Sequence, residues 1–132
     1  MIKLIRFTIG VWIFALSHMS FSADRAELAV QIPQSGTYSR AISTENPAAQ
    51  TFFDQGLRLA WGFYFPESIA SYQEASRHDP SHPMPYWGIA HAAGPNPNSR
   101  YAQMPDDPQG AGLAAIQSAL ARIDRATPME AE

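Results

Sequence analysis

Between Phe52 and Pro80, the small residues Gly56, Ser68 and Ala75 are set among the aromatics Phe52 and Tyr72, and the run closes on Pro80. Helix axes come closest where facing side chains are small, so the spacing predicts two helices packed on one another. Shifting by 34 residues carries Phe52, Gln55 and Gly56 onto Tyr86, Ile89 and Ala90. The same shift fails at Tyr72, but a shift of 44 carries Ser68, Ile69, Tyr72 and Ala75 onto Gly112, Leu113, Ile116 and Ala119. The chain therefore reads as two copies of one helix pair, with about ten extra residues between the helices of the second.

Capping signals place the helices. Asn46-Pro47 opens the first, and Phe52, Phe53, Gly56, Leu59, Ala60 and Phe63 recur at helical steps to form its apolar face. A second is expected over Pro66–His78, with Ile69, Tyr72 and Ala75 inward, although Phe65 is a poor cap. A third is expected over Pro83–Ala93, its prolines confined to the first turn, where amides lack an intrahelical partner. Asp107-Pro108 opens a fourth, whose stripe Leu113, Ile116, Leu120 and Ile123 is expected to face the core. Thr127-Pro128-Met129-Glu130 has the form of a capping box and announces one more helix. No segment alternates as a strand does, so the fold class is all-α.

Residues 1–22 read as an export leader. Lys3 and Arg6 precede the short apolar run Phe7–Leu16, and Ser20-Phe21-Ser22 offers small residues for cleavage. The run is about half the ~20 residues a spanning helix needs, so contact with a membrane is expected to be transient. Residues 23–45 form an extended lead-in, and 46–132 the helical repeats: 46–80, then 81–126 with an insertion at 95–107, then the beginning of a third at 127–132. The chain has no cysteine, so packing and polar contacts alone must hold it after export. The formal charge of −3 becomes about −5 without Lys3 and Arg6, and no basic patch suited to nucleic acid is present.

Phe52-x-x-Gln55-Gly56-x-x-Leu59, followed by Ser68-x-x-x-Tyr72-x-x-Ala75 and Pro80, resembles the tetratricopeptide repeat, with Gln55 replacing the pattern's leucine and Ser68 its alanine. Together with YWGIAHAAGPNPN, these residues resemble the N-terminal part of a bacterial exported tetratricopeptide-repeat family over about Ser39 to Glu130. The resemblance implies antiparallel helix pairs stacked as a right-handed solenoid, further repeats toward the C-terminus, and no enzymatic activity. Its structural positions here are Phe52, Gly56, Leu59, Ser68, Tyr72, Ala75, Pro80, Tyr86, Ile89 and Ala90. It also implies that a protein or extended peptide binds in the groove lined by the first helix of each pair. By helix phase that groove would present Gln50, Asp54, Arg58, Met84, Gly88 and His91, with Arg100 and Tyr101 on the inserted loop.

Catalytic and metal chemistry find little support in the residues. His78 and His82 flank Asp79, yet with His91 a helix away they lack a paired ligand spacing. Serine, histidine and acid occur without a nucleophile elbow, and Asp106-Asp107 is accounted for by helix capping. The expectation is an exported, non-enzymatic binding scaffold without cofactor or metal. The alternative is an accessory region of a metal- or redox-active exported protein.

Overall fold

The computed structural model describes residues 26–94 and 107–132. Helices α1 (Pro47–Trp61), α2 (Phe65–His78), α3 (Pro83–Ala93) and α4 (Pro108–Leu120) are followed by a single 3-10 turn at Ile123–Arg125. Every element among the described residues is helical. Neighbours in sequence pack together, α1 on α2, α2 on α3 and α3 on α4, and α1 also touches α3. No described helix is long and apolar enough to cross a membrane. The expected leader and residues 95–106 of the expected insertion, including Arg100 and Tyr101, lie outside the described residues.

The caps follow from the sequence. Asn46 Oδ1 accepts the amides of Ala48 and Ala49, and its Nδ2 donates to the His78 carbonyl at 2.9 Å, so one side chain starts α1 and ends α2. Asp107 caps α4 through the Gly110 amide. Helix α2 begins one residue before its predicted start, at Phe65, and Tyr64 gives no side-chain cap. The turn ahead of it closes with the Phe63 amide on the Ala60 carbonyl and the Tyr64 amide on Leu59. That pairing is a Schellman motif, whose left-handed position normally holds glycine. Here Phe63 occupies it at φ 64°. Phe63→Gly should therefore stabilise the chain by up to about 1 kcal/mol, less whatever is lost from the edge contact of Phe63 with Phe65. Chemical denaturation measures the gain.

Tyr72 is the centre of the core. Its ring is fully buried, packs 5.5 Å from Phe53, and lies between two glycines on different helices. A Cβ at Gly56 of α1 would stand 2.6 Å from the ring, and one at Gly88 of α3 closer still. Gly56 was expected to be small for the approach of α2; the residue it admits is this aromatic ring, and the Ser68 hydroxyl donates to the Gly56 carbonyl at 2.8 Å beside it. Burial pushes the Tyr72 phenol far above its usual range, opposed by the nearby Ser68 hydroxyl, but that hydroxyl is spent on the Gly56 carbonyl and no described group makes a hydrogen bond of good geometry to the phenol oxygen. An unpaired buried hydroxyl costs about 1–3 kcal/mol. Tyr72→Phe should consequently leave the melting temperature unchanged or raise it.

One expectation is corrected at the C-terminal end. Helix α4 turns Ala115 and Ala119 inward, with Gly112 close to Ala90 and Ala93 of α3, while Leu113 and Leu120 are 58% and 60% exposed. Ile123 is exposed too. The small faces of α3 and α4 let their backbones approach, and that geometry leaves the larger apolar side chains outside. Thr127–Glu130 closes as a turn, with the Ala131 amide on the Thr127 carbonyl. Its Glu130 carboxylate accepts the Thr127 amide and hydroxyl within a turn, then reaches back to Ser43 near the start of α1. Arg122 fastens α4 to the α2–α3 turn, donating to the Pro80 carbonyl at 2.7 Å over the ring of Tyr86.

Candidate peptide-gripping groove

An extended segment has unpaired amides and carbonyls along both edges, and it stays ordered only where other groups complete them. Residues 26–46 are such a segment, and side chains of α1 and α2 complete seven of its backbone groups. The segment runs up the molecule, turns at residues 33–37 and returns along α1, forming a strap with two arms.

In the first arm, the Leu28 amide donates to Glu74 Oε2 at 3.0 Å. Gln55 takes both functions of the next stretch. Its Oε1 accepts the Ile32 amide at 2.8 Å, and its Nε2 donates to the Val30 carbonyl at 3.0 Å and to Ser71 Oγ. A primary amide carries donor and acceptor side by side, as a peptide group does, so one buried glutamine replaces a neighbouring strand. The turn has Gln34 and Gly36 at φ 61° and 107°, and Gly36 passes against the Arg58 stem.

The second arm lies along α1 residues spaced by one helical turn. Arg58 Nη1 donates to the Tyr38 carbonyl at 2.8 Å. Asp54 accepts the Ser39 hydroxyl and the Arg40 amide, at 2.6 and 2.9 Å. Gln50 repeats the double grip, accepting the Ile42 amide at 2.9 Å and donating to the Arg40 carbonyl at 3.0 Å. Ile42 enters the core, and the Arg40 guanidinium stands 6.0 Å from the Trp87 ring of α3, which in turn stacks on His91.

Gln50, Asp54 and Arg58 thus share one face, as their spacing predicts, but that face is occupied by the chain's own lead-in. Met84 and Gly88 do not join it; both are buried, Gly88 against Tyr72, because this side of α3 packs onto α2. His91 is exposed beside Trp87. Gln55, Ser71 and Glu74 were not anticipated. A glutamine at a position where the repeat pattern puts leucine was the available signal for the first of them.

Glu74 is fully buried. Its carboxyl is held below the usual range, first by the Arg77 guanidinium against burial, with the Leu28 amide and His78 assisting. His78 also stacks on Phe52 at 5.6 Å.

The far end of the strap is latched by a second cluster. Ser43 Oγ lies 2.9 Å from His82 Nε2 and 2.7 Å from Glu130 Oε2, and the Ser43 amide donates to Glu130 Oε1. The trio has the composition of a hydrolytic triad but not its polarity. His82 Nδ1 accepts the Met84 amide, so the ring proton sits on Nε2 and points at Ser43. The Ser43 hydroxyl donates its hydrogen bond to Glu130, and the histidine has no lone pair facing the serine with which to activate it. Thr44 donates to Asp79 at 2.6 Å alongside. Among the described residues no group of histidines and carboxylates is arranged to hold a metal ion. A polar cleft of about 550 Å³ adjoins the latch, lined by Asn46, His78, Asp79, His82 and Arg125.

Burial raises the Glu130 carboxyl, but the Thr127 and Ser43 amides and hydroxyls overcome it and hold the group down at about 2. His82 is lowered by burial, against the pull of Glu130 and Asp79, with Arg125 adding to the lowering. Both groups have depressed folded values, so their stabilisation is complete above the unfolded values and declines as the pH falls. Stability should therefore fall in two stages, below about pH 6.5 through His82 and below about pH 4.5 through Glu130. His82→Gln should remove the upper stage in urea titrations and keep the lower.

Comparison with known protein families, with curated proteins and with solved structures found no match to this chain.

Proposed function

We propose that this chain is a non-enzymatic scaffold that holds an extended polypeptide, built from tetratricopeptide-like helix pairs and working outside the cytoplasm. The observation carrying the reading is the grip on the strap. Gln50 and Gln55 each bind an amide and a carbonyl of an extended segment, while Asp54, Arg58 and Glu74 bind further backbone groups. Such contacts recognise backbone direction and conformation rather than a particular sequence. The order of packing, with α2 on α3 and α1 touching α3, supports the stacked-pair reading. The proton direction in the Ser43 cluster supports a structural rather than catalytic role for it.

Beyond the strap, Trp87 and His91 of α3 present a stacked ring pair at the groove edge, and Trp61, Tyr64 and Tyr38 are exposed at its other end. Trp61 and Tyr38 line a cleft of about 460 Å³ with Arg58. The test is an array of acetylated peptides probed with the full chain and with Trp87→Ala. A subset of extended peptides should bind the full chain, and Trp87→Ala should weaken them about tenfold or more while the helices stay folded, with a modest loss of melting temperature because Trp87 packs partly against the core. If no peptide binds even when the strap is weakened, the scaffold reading fails.

A further inference from the structure

The two arms of the strap are held very differently. The second arm buries Ile42 in the core and ends in the Ser43, Thr44 and Asn46 network with His82, Asp79 and His78. The first arm buries little of its own. Leu28, Val30 and Ile32 are 53%, 66% and 40% exposed, and only Ala29 packs partly against the core. What holds it is hydrogen bonding from its main chain to Glu74 and Gln55. Any extended chain can make those bonds. Charge does not help to hold the first arm, because Glu27 and Glu67 carry the same sign and both line the cleft of about 330 Å³ left between the arm and the two helices.

We propose that residues 27–32 are an exchangeable, built-in occupant of the α1–α2 cleft, displaced by an extended peptide that carries a small residue at the Ala29 position and a basic one at the Glu27 position. The proposal rests on the scaffold reading and assigns it a regulator. The second arm stays latched while the first lifts about the turn at residues 33–37. Gln55, steadied by Ser71, and Glu74 then pair with the incoming backbone, and the Glu67 carboxylate faces the basic side chain. Closure by the native arm lowers the apparent affinity by the fraction of chains in which the cleft is vacant. Partners therefore bind only when their affinity exceeds that internal competition. The groove is protected from indiscriminate binding of extended chains by the same means.

The probe is a fluorescent acetylated peptide of sequence AELAVQIP, residues 26–33 of the chain, titrated into the full-length protein and into a Leu28→Pro/Ile32→Pro variant. Each proline removes an amide that the cleft reads, while keeping the backbone extended. The variant should bind the peptide about tenfold tighter than the native chain does. Gln55→Leu in the same background should abolish binding. The same peptide with lysine in place of Glu27 should bind about twofold to fivefold tighter at low salt; equal binding would overturn the assigned charge preference. A dye on Val30→Cys, the sole thiol in a chain without cysteine, reports the native arm directly and should gain mobility as peptide is added. Equal affinity for native chain and variant, with the dye unaffected, would overturn the exchange and leave the scaffold reading standing. No binding by either protein would overturn both. Dye mobility that changes with protein concentration alone would show the arm swapping between copies, which also overturns a peptide occupant.

Discussion

Leucine at Gly88 should destabilise the chain by about 1–3 kcal/mol or more, and leucine at Gly56 by a similar amount. Both substitutions improve helix propensity, by roughly 1 kcal/mol relative to glycine. Propensity loses because the space is already filled by the Tyr72 ring, which has Gly56 on one side and Gly88 on the other. The ring cannot retreat from one helix without meeting the other. The pairing gives a sharper outcome than either single change. In a Tyr72→Leu background the ring is gone, so the cost of alanine at Gly88 should shrink markedly, giving a coupling of about 0.5–3 kcal/mol in a double-mutant cycle. Additive effects measured by urea denaturation would mean that the ring does not set the spacing of α1, α2 and α3.

Glu74→Ala should cost about 1–3 kcal/mol. The carboxylate is fully buried and receives Arg77, the Leu28 amide and the His78 ring, so its loss leaves the first arm without one anchor. Arg77 is partly exposed and regains water, which keeps the cost below that of stranding a wholly buried cation. The pH dependence separates this contribution from simple loss of packing. The folded Glu74 carboxyl is depressed, so its stabilisation is present above about pH 4.5 and is lost as the pH falls further. The difference in stability between native and variant should be constant near neutrality and narrow in acid. A difference that persists unchanged at low pH would assign the effect to packing.

The helices were legible because their signals are local. Asn46-Pro47 and Asp107-Pro108 cap α1 and α4 by contacts within three residues, and the small positions Gly56 and Ala75 are buried as the spacing requires. Helix phase also placed Gln50, Asp54 and Arg58 on one face. What covers that face was not legible. The lead-in has no periodicity of its own, since its order comes from side chains far along the chain, 46 residues away for Leu28 and Glu74 and 87 for Ser43 and Glu130. Gln55 and Ser68 were visible only as departures from a repeat pattern. Each is a polar residue carrying a buried hydrogen bond, Gln55 to the strap and Ser71, Ser68 to the Gly56 carbonyl.

The stripe on α4 misled for a related reason. Leu113, Ile116, Leu120 and Ile123 have helical spacing, but periodicity identifies an apolar face without saying which neighbour meets it. Ala115 and Ala119 make the closer contact, so Leu113, Leu120 and Ile123 stay exposed while Ile116 is half-buried. The capping box at Thr127–Glu130 was legible from its spacing, and the Glu130 carboxylate accepts the Thr127 amide as that motif requires. In this chain its carboxylate serves the Ser43 latch.

The central claim is that α1 and α2 hold an extended main chain through side-chain groups, and amide hydrogen exchange of the full chain tests it most directly. The amides of Leu28, Ile32, Arg40 and Ile42 donate to Glu74, Gln55, Asp54 and Gln50 respectively. All four should exchange more slowly than in an unstructured peptide, with Arg40 and Ile42 slower than Leu28 and Ile32. Gln55→Leu should release Ile32 while Arg40 and Ile42 stay protected. Exchange of all four at unprotected rates in the native chain, with the helices still protected, would contradict the account.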